Sequence, residues 1–326
     1  MAHLTNLKQN NIDKIILNYN ILNFIDFIPI YDGIQNSNYI INTQSKKYIL
    51  TIFEDTYVAN NINFFLNLLL FCNKNNFICP MPILDKYNNT VHYINKKPSC
   101  IFNFIEGESC KETSLHNIKN VGIHLAKLHI ITNKFNEKIK VRFDINFFNN
   151  FIIKKKVFFT KLDINLNNIF NDTLISYNNL NEKNLPKTII HGDLFPDNVF
   201  FNDDNEITGF LDFYFSDYNY MISDLAIVII SWCFYINQDD AYVLNFNKVN
   251  ILLKSYNSIR KIKNEEIAAL NIICKLYCMR FMFTRITAKD YNYDNKKFLT
   301  KDPHEYIDKL LYFNDTKNLR MNINYA

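Results

Sequence analysis

The sequence predicts an α+β chain of two lobes, an antiparallel sheet in the first third and a mainly helical remainder. Three observations carry this. Runs of β-branched and aromatic residues at 27–31, 38–42, 47–53, 91–94 and 100–104 read as strands. Beyond Gly107, apolar residues recur at helical spacing in long segments. One strand pair, 199–201 and 207–211, interrupts those helices and carries the densest cluster of chemically active side chains. At 326 residues the chain has ample length for a sizeable core.

Taken in order, an opening amphipathic helix is marked by Ile12, Ile15, Ile16 and Tyr19. The strands at 27–31 and 38–42 are joined by Asp32-Gly33-Ile34-Gln35-Asn36-Ser37. By its own pattern this is an ordinary hairpin loop. In company with the hairpin described below it becomes a candidate lid over nucleotide phosphates, through backbone N–H groups at Gly33 and Asn36 and through Ser37. Segment 59–72 is an apolar helix that buries Phe64, Phe65, Leu68, Leu69 and Cys72. Cys79-Pro80-Met81-Pro82 stops any helix and leads into the strands at 91–94 and 100–104. Ile105-Glu106-Gly107 then reads as a hinge near 102–108, dividing residues 1–104 from 105–326. Helices follow at 118–130, 147–167, 169–180, 224–234, 247–256 and 265–287. Gly122 falls inside the first of these, where close packing is the reason to expect it.

Composition sets the outer limits. A formal charge of +4 spread over the chain argues for neither nucleic acid nor a membrane surface as partner. No apolar run approaches the ~20 residues of a membrane span, the longest candidate being a buried helix around 225–234. The N-terminus shows neither an apolar signal core nor an Arg/Ser-rich presequence. Seven cysteines in no paired zinc-type clusters read as reduced thiols of a cytoplasmic protein. His124 and His129 lack the spacing of a helical metal pair. Oligomeric state is not legible.

The chemistry concentrates in 189–213, IIHGDLFPDNVFFNDDNEITGFLDF. A short strand ends at His191-Gly192-Asp193, and Asn198 opens a new strand after a loop containing Pro196. Asn202 to Asn205 has turn chemistry. A hairpin folded about Asn205 pairs Asn198 with Asp212, so that both side chains end at its open mouth. Asp193 in the feeding loop is then a carboxylate free to accept a proton. Asn198 and Asp212 form an amide-plus-carboxylate oxygen pair fit for a divalent cation such as magnesium. Phosphoryl transfer from a nucleotide asks for this set, because its transition state needs positioning and charge neutralisation more than covalent chemistry.

Further stretches extend the pattern: NSNYIINTQSKKYILTIFE (36–54), FNFIEGES (102–109), HGDLFPDNVFF (191–201), GFLDFYF (209–215), SDLAIVIISWCF (223–234), RFMFTR (280–285) and KDPHEYIDKL (301–310). In register over nearly the whole chain, they resemble the bacterial homoserine kinases built on the aminoglycoside phosphotransferase/choline kinase fold. The resemblance implies a two-lobed protein-kinase-like fold, with ATP and Mg2+ as cofactors. It also implies transfer of the γ-phosphoryl group to the hydroxyl of L-homoserine, a step of threonine biosynthesis. By the same resemblance Asp193 is the base or orienter for that hydroxyl, and Asn198 and Asp212 hold the metal. Phe104 and Ile105 meet the adenine at the hinge. His191 braces the loop, and Asp224 is either the buried aspartate behind that loop, the N-cap of the helix it opens, or both. The wider superfamily often carries Lys or Arg on the third strand where this chain has Thr51. Lys47, on the same strand face, is about 13 Å away at ~3.3 Å per residue.

An amino-acid acceptor demands a partner for its carboxylate, typically a bidentate Arg. Arg280 and Arg285 are the candidates, with Tyr214 closing the pocket. Five positions along a helix is a turn of ~140°, so the two do not aim at one ligand atom. Two alternatives remain. One keeps the fold and phosphorylates choline, methylthioribose or an aminoglycoside. The other is a nucleotide-binding pseudokinase, suggested by Thr51 and opposed by intact Asp193, Asn198 and Asp212.

Overall fold

The computed structural model describes residues 5–31, 36–163, 165–180, 182–295, 301–315 and 323–324. Helix α1 (Gln9–Ile16) precedes strands β1 (Phe24–Ile30), β2 (Asn36–Thr43) and β3 (Lys47–Phe53). Helices α2 (Thr56–Asn60) and α3 (Ile62–Lys74) follow, then β4 (His92–Ile94) and β5 (Lys97–Asn103). The five strands form one antiparallel sheet in the order β1-β2-β3-β5-β4. Because strand side chains alternate, the sheet feeds two cores. Tyr39, Ile41, Leu50, Ile52 and Ile101 meet Ile12, Ile15 and Tyr19 in a small outer cluster. Phe53, Cys100 and Phe102 point the other way, onto α3 and the main core.

The apolar segment 59–72 is two helices rather than one. Asp55 caps the first by accepting Val58 N–H at 3.0 Å. Asn61 then leaves the helical region (φ −115, ψ 17), its side-chain amide donating back to Tyr57 O at 2.8 Å. An Asn that bonds its own backbone competes with the helical ladder, and here it breaks it.

After β5 the order is β6 (Glu108–Ser109), α4 (Leu115–Thr132), α5 (Ile145–Leu162), α6 (Leu166–Asn178) and β7 (Lys187–Ile190). The hairpin β8 (Val199–Phe201) and β9 (Ile207–Phe210) comes next, then β10 (Asp217–Tyr220) and α7 (Met221–Trp232). A small ribbon of β11 (Phe234–Ile236) and β12 (Tyr242–Leu244) leads into α8 (Phe246–Ile259), α9 (Asn264–Asn295) and α10 (His304–Asp315). The segment 147–167 stops early, at Leu162, where Asp163 turns extended and accepts Asn165 N–H at 2.7 Å.

Helix α7 buries every residue but Ser231, which makes it the centre of the helical half. Against the sequence expectation, a longer apolar stretch lies in α9. Within Asn264–Ala288 a window of mean hydropathy 1.4 is long and apolar enough to cross a membrane, and 72% of it is buried inside the fold. Leu270, Ile273, Cys274, Met282 and Phe283 are among the side chains that make it a core helix. Gly122 has its packing role: a Cβ there would stand 2.1 Å from Ser255 Oγ and 2.8 Å from Leu252 O, so the α4 backbone lies directly against α8. All seven cysteines are free thiols.

Candidate active site

The hairpin closes tighter than a simple count predicts. Asn202 N–H donates to Glu206 O at 3.0 Å, centring the turn on Asp204. A bulge then makes Thr208 the extra residue, since Phe201 faces Ile207 while Phe200 faces Gly209. At the mouth Asn198 O accepts Leu211 N–H at 2.8 Å, so Asn198 pairs with Leu211 and not with Asp212. Asp212 sits one residue beyond the ladder in the left-handed region, φ 58. That conformation is uncommon outside glycine and more accessible to Asp than to bulky residues. It frees the carboxylate from the sheet.

The loop from His191 to Asn198 is held from four sides. Asp224 accepts the backbone N–H of His191 and of Gly192, each at 2.8 Å. Trp232 Nε1 donates to Leu194 O at 2.9 Å. His191 Nε2 meets Leu211 O at 2.8 Å while its Nδ1 accepts Asp193 N–H at 3.2 Å. Burial pushes the His191 pKa down, which favours the neutral ring. Arg280 from α9 donates through Nη1 to Gly192 O. Gly192 itself has φ 78, and a Cβ there would be 2.3 Å from Phe215 O.

Asp224 is the brace and not the cap, because α7 begins at Met221 with Tyr220 before it. Behind it His129 Nε2 lies 3.0 Å from the carboxylate, and Tyr256 Oη lies 2.7 Å from His129 Nδ1. Burial alone would raise the Asp224 pKa, but the His129 contact and the Gly192 N–H hold it below the ordinary value.

Asn198 turns its amide N–H toward Asp193, donating to the main-chain O at 2.7 Å and to Oδ2 at 3.3 Å. Its Oδ1 is thereby not used in these bonds. Burial pushes the Asp193 carboxyl up to about 6, against the pull of Arg280, whose Nη2 lies 3.7 Å from Asp193 Oδ1. Asp212 is pushed up to about 7 by burial and by the neighbouring Asp193. Its Oδ1 is buried with no hydrogen-bond partner. A desolvated carboxylate oxygen with nothing to bind is costly unless a cation completes it. Among the described residues no group of three His, Cys, Asp or Glu converges. One carboxylate and one amide oxygen suit a cation that keeps most of its shell for water and phosphate.

The nucleotide-side expectations divide. Gly33 lies outside the described residues. Asn36 and Asn38 stand opposite Phe53 and Thr51, on the sheet face toward the main core. Asn36 Oδ1 is buried without a partner, and Asn38 Oδ1 accepts Thr51 Oγ1 at 2.8 Å. Ser37 is a correction: strand alternation turns it to the outer face. There its Oγ donates to Glu54 Oε1 at 2.6 Å and accepts Thr5 N–H at 2.9 Å. Phe104 and Ile105 follow β5, beside a depression of about 290 Å3 that Asn103, Glu106 and Ile78 also line. Lys47 Nζ sits 5.3 Å over the Phe104 ring and does not reach back toward Thr51.

The substrate-side expectations change more. Arg285 is engaged elsewhere, its Nη1 donating to Asp302 O and to Glu305, each at 2.6 Å, with its guanidinium 4.4 Å over Tyr306. It is a structural tie between α9 and α10, not a ligand group. Tyr214 is also corrected. Its ring packs edge-on to Phe53 at 4.9 Å and Phe65 at 5.8 Å, joining β3 and α3 to the loop after Asp212 instead of walling a pocket. Arg280 alone of the three reaches the catalytic loop. Two residues went unnoticed in the sequence: Arg142, one of only five arginines, and Asp217. Arginine scarcity was the available signal for the first; nothing local marked the second.

The model of a phosphotransferase enzyme family matches residues 26–251. The chain belongs to that family. Among curated relatives it is 28% identical to a homoserine kinase of Rhizobium etli over 312 residues, covering 96% of both chains. It is likewise 28% identical to a homoserine kinase of Bartonella henselae over 326 residues, covering 98% of both. Among solved structures, an amicoumacin kinase in complex with AMP-PNP and Ca2+ superposes with a TM-score of 0.69 at 15% identity, over 94% of this chain and 91% of that one. A choline kinase from Streptococcus pneumoniae superposes with a TM-score of 0.62 at 14% identity, over 93% and 97%. These likenesses establish the two-lobed kinase-like fold.

Proposed function

We propose that this protein is a homoserine kinase, transferring the γ-phosphoryl group of ATP to the hydroxyl of L-homoserine. The full-length likeness to curated homoserine kinases carries the reading, and the intact Asp193, Asn198 and Asp212 support it over a pseudokinase. Asp193 is the group that meets the substrate hydroxyl. A carboxyl held near 6 is ionised at neutral pH and still able to take a proton. As the hydroxyl oxygen bonds to the γ-phosphorus, the bond to the β–γ bridging oxygen breaks and ADP leaves. Asp193 Oδ receives the hydroxyl proton, and Arg280 keeps the carboxylate aimed.

Asn198 Oδ1 and Asp212 would hold magnesium, which supplies charge neutralisation on the phosphates when bound. Asn36 and the hinge residues Phe104 and Ile105 are the proposed nucleotide contacts, on the cleft side of the sheet. The hinge at 104–107, where no strand forms, is the proposed division of the lobes. A cytoplasmic setting belongs to the same proposal. The test is ATP consumption by purified protein against homoserine, serine, threonine, choline and methylthioribose. Preference for homoserine is the expected result, and turnover of choline or methylthioribose alone would reject the reading.

A further inference from the structure

Four of the buried polar atoms left without a hydrogen-bond partner belong to one neighbourhood: Arg142 Nη1, Asp212 Oδ1, Asp217 Oδ1 and Arg280 Nε. Asp212 is accounted for by a cation, and Arg280 is spent on Gly192 O and on the rings around it. Arg142 and Asp217 have no role in what precedes.

Arg142 lies just before α5. Its Nη2 donates to Asp55 at 2.7 Å, and its guanidinium stands 5.0 Å over Tyr57, 5.5 Å over Phe143 and 5.4 Å over Phe215. Arg280 stands over the same two rings, 4.6 Å from Phe143 and 5.0 Å from Phe215. The Phe143–Phe215 pair, stacked at 6.2 Å, therefore sets Arg142 beside the arginine that touches Asp193. Asp217 follows Phe215 by two residues and pairs in the β7–β10 ladder with Ile190, next to His191. It is 8% exposed, Asn219 is a hydrogen-bond partner of its carboxylate, and no ion pair reaches it among the described residues. Burial raises its pKa to about 6, with Arg280 pulling the other way.

We propose that Arg142 and Asp217 are the residues that select an α-amino acid, Arg142 Nη1 binding the substrate carboxylate and Asp217 Oδ1 its ammonium, with the Phe143–Phe215 rings between them. This rests on the homoserine reading and gives that reading its specificity. A cation with a buried bare N–H and an anion with a buried bare lone pair, linked through the Phe143–Phe215 rings to the arginine that touches Asp193, are the complement of a zwitterion that carries a hydroxyl. Each orphan atom costs free energy in the empty site and is satisfied by the ligand. An acceptor lacking either charge leaves one orphan unpaired, and a site built that way discriminates strongly.

The experiment compares kcat/KM for homoserine, 3-aminopropan-1-ol (the carboxylate removed) and 4-hydroxybutanoate (the ammonium removed), in the wild type and in Arg142→Gln and Asp217→Asn. In Arg142→Gln the homoserine KM should rise by about a hundredfold, while 3-aminopropan-1-ol turnover and ATP KM stay unchanged. Asp217→Asn should do the same against 4-hydroxybutanoate. Because Arg142 also pairs with Asp55, Asp55→Asn is the control for a merely structural effect and should leave the preference for homoserine intact. If Arg142→Gln does not fold, Arg142→Lys, which keeps the charge and loses the fork, decides by the same ratio. Wild-type discrimination that survives in the variants overturns this assignment while leaving the homoserine reading standing. A wild type inert toward homoserine overturns both.

Discussion

One carboxylate oxygen of Asp224 accepts the backbone N–H of Gly192 at 2.8 Å, while the other accepts that of the preceding residue, His191, at 2.8 Å and lies 3.0 Å from His129 Nε2. A helix side chain thus shapes the loop that aims Asp193. Replacing it with Asn removes an anionic acceptor from a buried network. Asp224→Asn should lower stability by about 2–5 kcal/mol and reduce kcat. Denaturant unfolding checks the first, and a variant as stable as wild type would show that the loop is held without it.

Asp193→Asn keeps the shape of the site and removes the proton acceptor. The kcat should drop by about 10²–10⁴ with ATP affinity nearly unchanged. Residual turnover within tenfold of wild type would take Asp193 out of the base role.

Asp212→Asn touches the cation and not the hydroxyl. Nucleotide binding should lose most of its magnesium dependence, because the carboxylate with the orphan Oδ1 is neutralised. Titrating ATP with and without magnesium measures it; an unaltered difference between the two curves would move the metal elsewhere.

Arg280 and Arg285 should separate cleanly. Arg280 bonds the catalytic loop at Gly192 O, so Arg280→Lys should cut kcat. Arg285 ties Glu305 and Asp302, so Arg285→Gln should lower the melting temperature and leave the homoserine KM within about twofold. A large KM change in Arg285→Gln would restore it as a ligand residue.

Glu54 offers a pH test away from the site. Burial would raise its pKa, but bonds from Lys97, Ser37 and Thr5 outweigh that and hold it below the ordinary carboxylate value. A depressed folded-state pKa contributes stability that is present above the unfolded value and lost as pH falls through the folded one. Wild-type stability should therefore decline in acid below about pH 4.5, more steeply than in Glu54→Gln. Parallel acid limbs in melting experiments would mean that Glu54 contributes nothing to that decline.

The local pattern of the chain determined the strands β3 and β8 to the residue, and it singled out Asp193, Asn198 and Asp212 as candidates. That is because strand alternation, turn chemistry at Asn202–Asn205 and the D-x-x-x-x-N spacing are short-range matters. Asn61 and Asp163 escaped because a side chain that bonds its own backbone ends a helix without disturbing the apolar period. The face on which Ser37 lands depended on register against β3, which no count within β2 supplies. Only tertiary packing decided which arginine does what. Arg280 and Arg285 share one helix and one motif, yet α10 supplies Glu305 to the second and the catalytic loop supplies Gly192 O to the first. Arg142 and Asp217, 75 positions apart in the chain, are linked only through Phe215, whose ring meets the Arg142 guanidinium two residues before Asp217. A charged side chain takes its role from whichever partner the fold brings within a few ångströms, and that partner is seldom close in sequence.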